Sequence, residues 1–256
     1  MNDKVEFSPE RSRSYKSALR NYPCAWEEDS LLMQEYLAPS KDEVILEIGA
    51  GSGFFSFDIS NMIGNKGHLF VVDPSLEQLL PIKQACVSNI TIMQVAAEEI
   101  ELPKGTNLDA IWSRGAFHHV RDKAATLRHL AKNSSKGTRL VICDIFAGTT
   151  LSAYFDTHVA ITCTTGHEVS FLSKEFATSL CQTTGWEVPS FIDVALQWHF
   201  ETKEDIGKFL SLLHSNKPEF SSQDSLAVAE DILGIKKTPR GWALNWPMTV
   251  MITSAK

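Results

Sequence analysis

Between residues 40 and 146, short apolar runs alternate with segments whose apolar positions recur at helical spacing. Residues 44–48, 69–72, 90–95, 108–112 and 139–145 read as strands. The first is continuously apolar up to its acid rather than alternating, as in a sheet buried on both faces. Residues 54–63, 75–87 and 123–133 read as the helices between them. Gly64 ends the first, Pro81 breaks or bends the second, and Lys136-Gly137 opens the turn after the third. This alternation predicts βαβ units and a parallel sheet. Ahead of it, residues 25–37 have helical spacing and Pro39 stops them. Residues 1–20 are polar and read as loosely held. The second half is less regular. It predicts a helix over 174–183 ending at Gly185, a strand over 191–200, helices over 203–214 and 221–233, and a terminal strand over 249–254.

The composition narrows the classes without choosing among them. A chain of 256 residues with 43% hydrophobic residues is long enough to bury a sizeable core, as one large domain or one domain with a sub-domain. A formal net charge of −7 argues against general nucleic-acid binding, which needs a basic surface. No apolar run reaches membrane-spanning length, and the polar N-terminus has no signal-peptide pattern. The five cysteines include no Cys-x-x-Cys pair, as expected of reduced thiols in the cytoplasm. Neither a His-Glu-x-x-His pattern nor paired-cysteine spacing suggests a metal, and no Gly-x-Ser-x-Gly elbow suggests a serine hydrolase.

The densest chemical signal is Glu47-Ile48-Gly49-Ala50-Gly51-Ser52-Gly53, directly after the first strand. Glycines at alternate positions let a backbone turn approach a ligand that Cβ atoms would block. The following helix then offers free N–H groups. A dinucleotide fingerprint needs Gly-x-Gly-x-x-Gly, and both frames fail here, at Phe54 and at Ser56. Glu47 would repel a pyrophosphate and attract a ligand's cationic end. Asp73 ends the second strand, where an ionised carboxylate can accept from both hydroxyls of a ribose.

Together these residues resemble the class I S-adenosylmethionine-dependent methyltransferases, whose first motif is acid-x-Gly-x-Gly-x-Gly. The resemblance is strong over residues 40–146 and weak to the C-terminal strand. It implies an α/β, Rossmann-like fold: a seven-stranded, mostly parallel sheet whose last strand is antiparallel, with helices on both faces and helical lid insertions. It implies S-adenosylmethionine as cofactor, held by Glu47, Gly49, Ala50, Gly51, Gly53 and Asp73, with Pro74 against the adenine. Where the family commonly has Asp-Ala-Glu, this chain has Ala96-Ala97-Glu98. The adenine amino contact then falls to the backbone of Ala97 or the side chain of Glu98. Ser113 lies on the fourth strand where the family's cofactor and acceptor meet.

That strand leads into Phe117-His118-His119-Val120, which resembles the quinone-type, small-molecule branch rather than the Asn-Pro-Pro-Tyr run of nucleic-acid and protein amide methyltransferases. His119 and His118 are the candidate bases, and His167, in Gly166-His167-Glu168, is the next. The plainer alternative is that His118 packs on the cofactor and His119 caps the next helix. Glu168 and Glu175 are candidates to cap the helix over 174–183.

The expected division is an N-terminal helical lid over 1–40 and a methyltransferase domain over 41–256, with a helical insertion at about 201–245. The insertion would cover the pocket or form a homodimer contact. The expected partner is a small-molecule acceptor, with no nucleic acid and no membrane. The competing readings are a methyltransferase for a protein or nucleic acid, a non-catalytic cofactor-binding module, and, more distantly, a nicotinamide oxidoreductase.

Overall fold

In the computed structural model, residues 7–167 and 169–256 are described. The elements run α1 (Pro9–Asn21), α2 (Glu27–Tyr36), β1 (Val44–Ile48), α3 (Phe54–Ile63), β2 (His68–Val72), α4 (Leu76–Ala85), β3 (Ile90–Met93), β4 (Leu108–Arg114), α5 (Lys123–Lys132) and β5 (Ser134–Asp144). Then come α6 (Thr150–Tyr154), a π-helical turn (Phe155–Val159), α7 (Ala160–Thr162), α8 (Lys174–Thr184), β6 (Ser190–Phe200), α9 (Lys203–His214), α10 (Ser222–Ile232), β7 (Ile235–Thr238) and β8 (Gly241–Ser254).

Seven strands are ordered β3-β2-β1-β4-β5-β8-β6, and an eighth, β7, pairs with β8. The pairs β1–β2, β2–β3, β1–β4 and β4–β5 are parallel. The last strand, β8, is antiparallel to β5, with Thr249–Ser254 opposite Asp144–Arg139. The mostly parallel sheet with an antiparallel last strand is therefore as the sequence predicted. The additional strand is β7, which forms a hairpin with the start of β8.

The chain divides into two units. The first holds Leu32–Ile145, Val169–Ile192 and Thr249–Lys256. Its centre is the set of parallel strands buried on both faces: Ile45 and Leu46, Leu69 and Val71, Ala110 to Trp112, and Leu140 to Cys143. Strand order reverses between β2-β1 and β4, so the turns after β1 and β4 diverge at the carboxyl edge, where ligands bind in open α/β sheets.

The second unit holds the described residues up to Leu31, residues 146–167, and Asp193–Met248. Its core is aromatic. Trp198 stacks on Trp246 with centroids 3.9 Å apart at 19°, and Trp26 and Phe209 flank Trp198 at 6.0 and 5.4 Å. The buried Trp198 indole N–H donates to Asp29 Oδ2 at 2.8 Å.

Four local expectations change. Ser8 caps α1, Pro9 occupies its first turn, and Ser14 Oγ donates to the Leu212 carbonyl at 2.7 Å, so the described part of the polar N-terminus is a docked helix rather than loose chain. Helix α4 runs on through Pro81, its sixth residue, which lacks the N–H that would bond the Glu77 carbonyl, so the proline does not end the helix. Lys136-Gly137 is an irregularity inside β5, marked by the register shift between Leu108 and Ala110 of its partner. Strand β8 begins at Gly241, because hairpin pairing with β7 extends it. Ser173, with Glu175 in the first turn, caps α8, while Glu168 lies outside the described residues.

Helices α9 and α10 meet at Gly207, where a Cβ would sit 2.2 Å from the Ser222 carbonyl oxygen. Backbone cannot move aside as a flexible side chain can. Gly207→Ala is therefore expected to lower stability by about 1–3 kcal/mol, read as a lower urea midpoint with an unchanged slope.

Candidate functional site

The turn after β1 is built by its glycines. Gly49, Gly51 and Gly53 all have positive φ, at 73°, 54° and 89°. Each has its own surroundings. A Cβ on Gly49 would lie 2.1 Å from Ala116 Cβ, and one on Gly53 would lie 2.7 Å from Ile82 Cγ1. A Cβ on Gly51 would meet nothing within 4 Å. The outer two glycines let the turn close against its neighbours, and the middle one faces open space. The amides of Gly49 and Ala50 both donate to the Val72 carbonyl, at 2.8 and 3.0 Å, and hold the turn beside the end of β2.

Asp73 completes that junction. Its Oδ2 accepts from the Gly51 amide at 3.0 Å and its Oδ1 from the Ser75 amide at 2.8 Å. Burial nevertheless pushes its pKa up to about 6, against the pull of those two N–H groups. Glu47 is more deeply enclosed, and its Oε2 accepts from Ser56 Oγ at 2.5 Å. Burial raises its pKa to about 8; the Ser56 bond opposes this and the charge of Asp73 adds to it. At neutral pH the Glu47 carboxyl is therefore largely protonated, rather than the standing negative charge that its place in the sequence implies.

The other predicted cofactor contacts fall along the same carboxyl edge. Pro74 is exposed beside Asp73, while Ala50 and Ala97 are buried, Ala97 in a short turn after β3. Glu98 Oε1 accepts from the amides of Arg121 and Asp122, at 2.6 and 3.0 Å, and so anchors the chain entering α5. Ser113 Oγ donates to the Ile48 carbonyl at 3.1 Å, which ties the end of β4 to the end of β1.

The two adjacent histidines lie in a tight turn, Phe117–His119, with their rings 4.2 Å apart. His118 is buried and His119 half-buried. The sequence reading missed what holds them. Asp144, the last residue of β5, accepts from the His118 amide at Oδ2 (3.0 Å), and its Oδ1 lies 2.5 Å from His118 Nδ1. Burial acts to raise the Asp144 pKa, but the charge and hydrogen bonds of His118 outweigh it, and the carboxyl is held below its ordinary value. Beneath the same turn the ammonium of Lys123 donates to the carbonyls of Val120 and His118 and to Ser170 Oγ, at 2.7, 3.3 and 2.7 Å. Burial lowers its pKa. An acid closing an apolar strand was the available signal, since Asp144 ends β5 as Asp73 follows β2. The third candidate base, His167, belongs to the second unit, where its ring lies 5.0 Å from Phe155.

Residues 45–137 match the family model described as a methyltransferase domain. A ubiquinone/menaquinone biosynthesis C-methyltransferase, UbiE, from Vibrio cholerae is 28% identical over 105 residues, covering 39% of this chain and 40% of that protein. The chain thus matches less than half the length of that curated relative. Among solved structures, the YcgJ protein of Bacillus subtilis superposes with a TM-score of 0.64 at 18% identity, over 90% of this chain and 99% of that one. Phosphoethanolamine N-methyltransferase 2 of Haemonchus contortus, solved with S-adenosylhomocysteine, gives 0.65 at 13% identity, over 99% of this chain and 58% of that one. Residues 45–137, which include the glycine turn and the acid after β2, are thus similar to a methyltransferase domain, and the fold is shared with these solved structures.

Proposed function

We propose that this chain transfers a methyl group from S-adenosylmethionine to a small-molecule acceptor in the cytoplasm. One observation carries the reading: Gly51 faces open space at the turn whose amide is bonded to Asp73. That is a cradle a side chain would fill, beside a carboxylate with lone pairs to spare for hydroxyls. The residues present fit the cofactor. Gly49, Ala50, Gly51 and Gly53 would line it, Asp73 would accept from its ribose hydroxyls, and Pro74 and Ala97 would flank its base. When bound, the cofactor supplies a methyl group on a positively charged sulfur. The net charge of −7 and the curated relative's role in quinone biosynthesis support a small acceptor over a nucleic acid.

Methyl displacement needs alignment and exclusion of water more than covalent help. The chain's own contribution is a rigid carboxyl edge. Asp144 fixes the His118 ring by Nδ1 and by its amide, and Lys123 fixes the carbonyls of the same turn. His119, beside His118 and less buried, is the better placed to take a proton from an acceptor hydroxyl or amine. The direct test is release of S-adenosylhomocysteine when the protein meets methyl-labelled S-adenosylmethionine and a fractionated small-molecule extract. Label appearing only in added protein or RNA would favour the macromolecular reading instead.

Two predictions follow from the geometry. Asp144→Asn keeps the shape but removes the charge opposite His118. It is expected to lower kcat about 100-fold while leaving the Kd for S-adenosylhomocysteine within threefold, by steady-state kinetics and calorimetry.

The second concerns pH. Glu47 and Asp73 have raised pKa values in the folded protein, so their protonated forms are favoured there. Their contribution to stability is complete below their ordinary values of 4.5 and 3.8 and is lost as pH rises through about 8 and about 6, respectively. Binding of a ligand with a cationic end and a ribose favours the ionised acids. Its affinity is therefore expected to rise over the same window. Calorimetry from pH 5.5 to 9 reads the trend, and Glu47→Gln is expected to remove its upper half.

A further inference from the structure

The paired histidines after β4 have a geometry that proton transfer alone does not call for. Neighbouring residues point to opposite faces of a strand and diverge around a helix. The tight turn Phe117–His119 instead brings the His118 and His119 rings to 4.2 Å, tilted by 43°. Each ring offers a nitrogen within 4.8 Å of one on the other. Asp144 Oδ1 lies 2.5 Å from His118 Nδ1, so the ring's second nitrogen, Nε2, carries the lone pair. The rest of His118 is held as firmly. Its amide donates to Asp144 Oδ2 at 3.0 Å, and its carbonyl accepts from the Ser170 amide at 3.1 Å and the Lys123 ammonium at 3.3 Å. The turn also has room beside it. Gly115, two residues before it, has a φ of 60°, and among the described residues a Cβ there would meet nothing within 4 Å. His119 is half-buried, within reach of solvent.

A carboxylate behind one imidazole nitrogen is the arrangement that orients histidines holding metal ions. It fixes the tautomer and the ring, and it makes the opposite nitrogen a stronger ligand. The geometry points to a site for one divalent cation of the Zn2+ or Co2+ kind, held by His118 Nε2 and a ring nitrogen of His119, with Asp144 behind His118. Imidazole nitrogen selects such ions over Mg2+ and Ca2+, which take oxygen ligands. Two protein ligands leave coordination positions for water or for the oxygen of an acceptor. The ammonium of Lys123 does not oppose the ion with an unbalanced charge: it is bonded to the carbonyls of the turn, and the carboxylates of Asp144 and Glu98 act on it. An ion here takes the lone pair that His119 would otherwise offer to a proton, so metal binding and general-base action at that ring exclude each other.

Co2+ is the probe, titrated into the untagged full chain. Calorimetry is expected to show one Co2+ bound per chain and no binding of Mg2+. Proton NMR of the Co2+ form is expected to show a far-shifted, slowly exchanging ring N–H, the His118 Nδ1 proton held against Asp144. That signal is read on the parent, so the outcome does not hang on whether a variant folds. Asp144→Asn is expected to weaken Co2+ about tenfold or more, and His119→Gln by at least as much. His68→Gln, at the start of β2, is expected to bind as the parent does. The metal site is overturned if the parent binds no Co2+, if Mg2+ binds as well as Co2+, or if the shifted N–H is absent. It is equally overturned if folded His119→Gln and Asp144→Asn bind as the parent does, or if His68→Gln loses as much as they do. No methyl donor enters these measurements, so the metal site can fail while the methyltransferase reading stands, and the reverse.

Discussion

A single hydrogen bond organises the parallel-sheet unit of this molecule: the Gly51 amide to the Asp73 carboxylate, at 3.0 Å. It joins the turn after β1 to the end of β2, two segments already held together by the Val72 carbonyl. The bond demands a left-handed backbone at Gly51, which an L-residue with a Cβ adopts only at a cost. Burial of the carboxylate raises the pKa of Asp73 against that bond, and the deeper burial of Glu47 raises that acid's pKa further. The junction thus sets two buried acids beside the glycine turn.

The same device recurs across the switch in strand order. Asp144 at the end of β5 holds the His118 turn by one amide and one imidazole nitrogen, as Asp73 holds the glycine turn by two amides. The two acids differ in what they face. Asp73 faces only neutral donors, so burial raises its pKa; Asp144 faces an imidazole that can carry charge, and its pKa falls. Where a strand ends in an acid, the partner decides whether the acid stays ionised.

Much of this was legible in the sequence. Continuous apolar runs announce strands buried on both faces, and the parallel sheet and the glycine turn follow from them. Glu47 shows where reading stops. Its residue type promises a negative charge, but Ser56 and the closed sheet around it make that side chain a largely neutral acid. Asp144 shows the converse: its place at a strand end was legible, but its partner is 26 residues away, and only the β4–β5 pairing brings the two together. Residues 146–162 gave no periodic signal because a π turn interrupts the 3.6-residue repeat. Tyr154 and His158 therefore did not stand out. Strand β8 was read short because Pro247 and the flanking tryptophans break the pattern, whereas hairpin pairing with β7 decides its length.

The central claim is that the Gly51–Asp73 junction binds S-adenosylmethionine and its product. Isothermal titration of the full chain with S-adenosylhomocysteine tests it most directly, alongside Asp73→Ala, Gly51→Val and, as a control in the other unit, Lys203→Ala. The account predicts one site per chain in the parent and the control, and at least about a hundredfold loss, ~3 kcal/mol, in both junction variants. No binding to the parent, or equal binding to the folded junction variants, would contradict it.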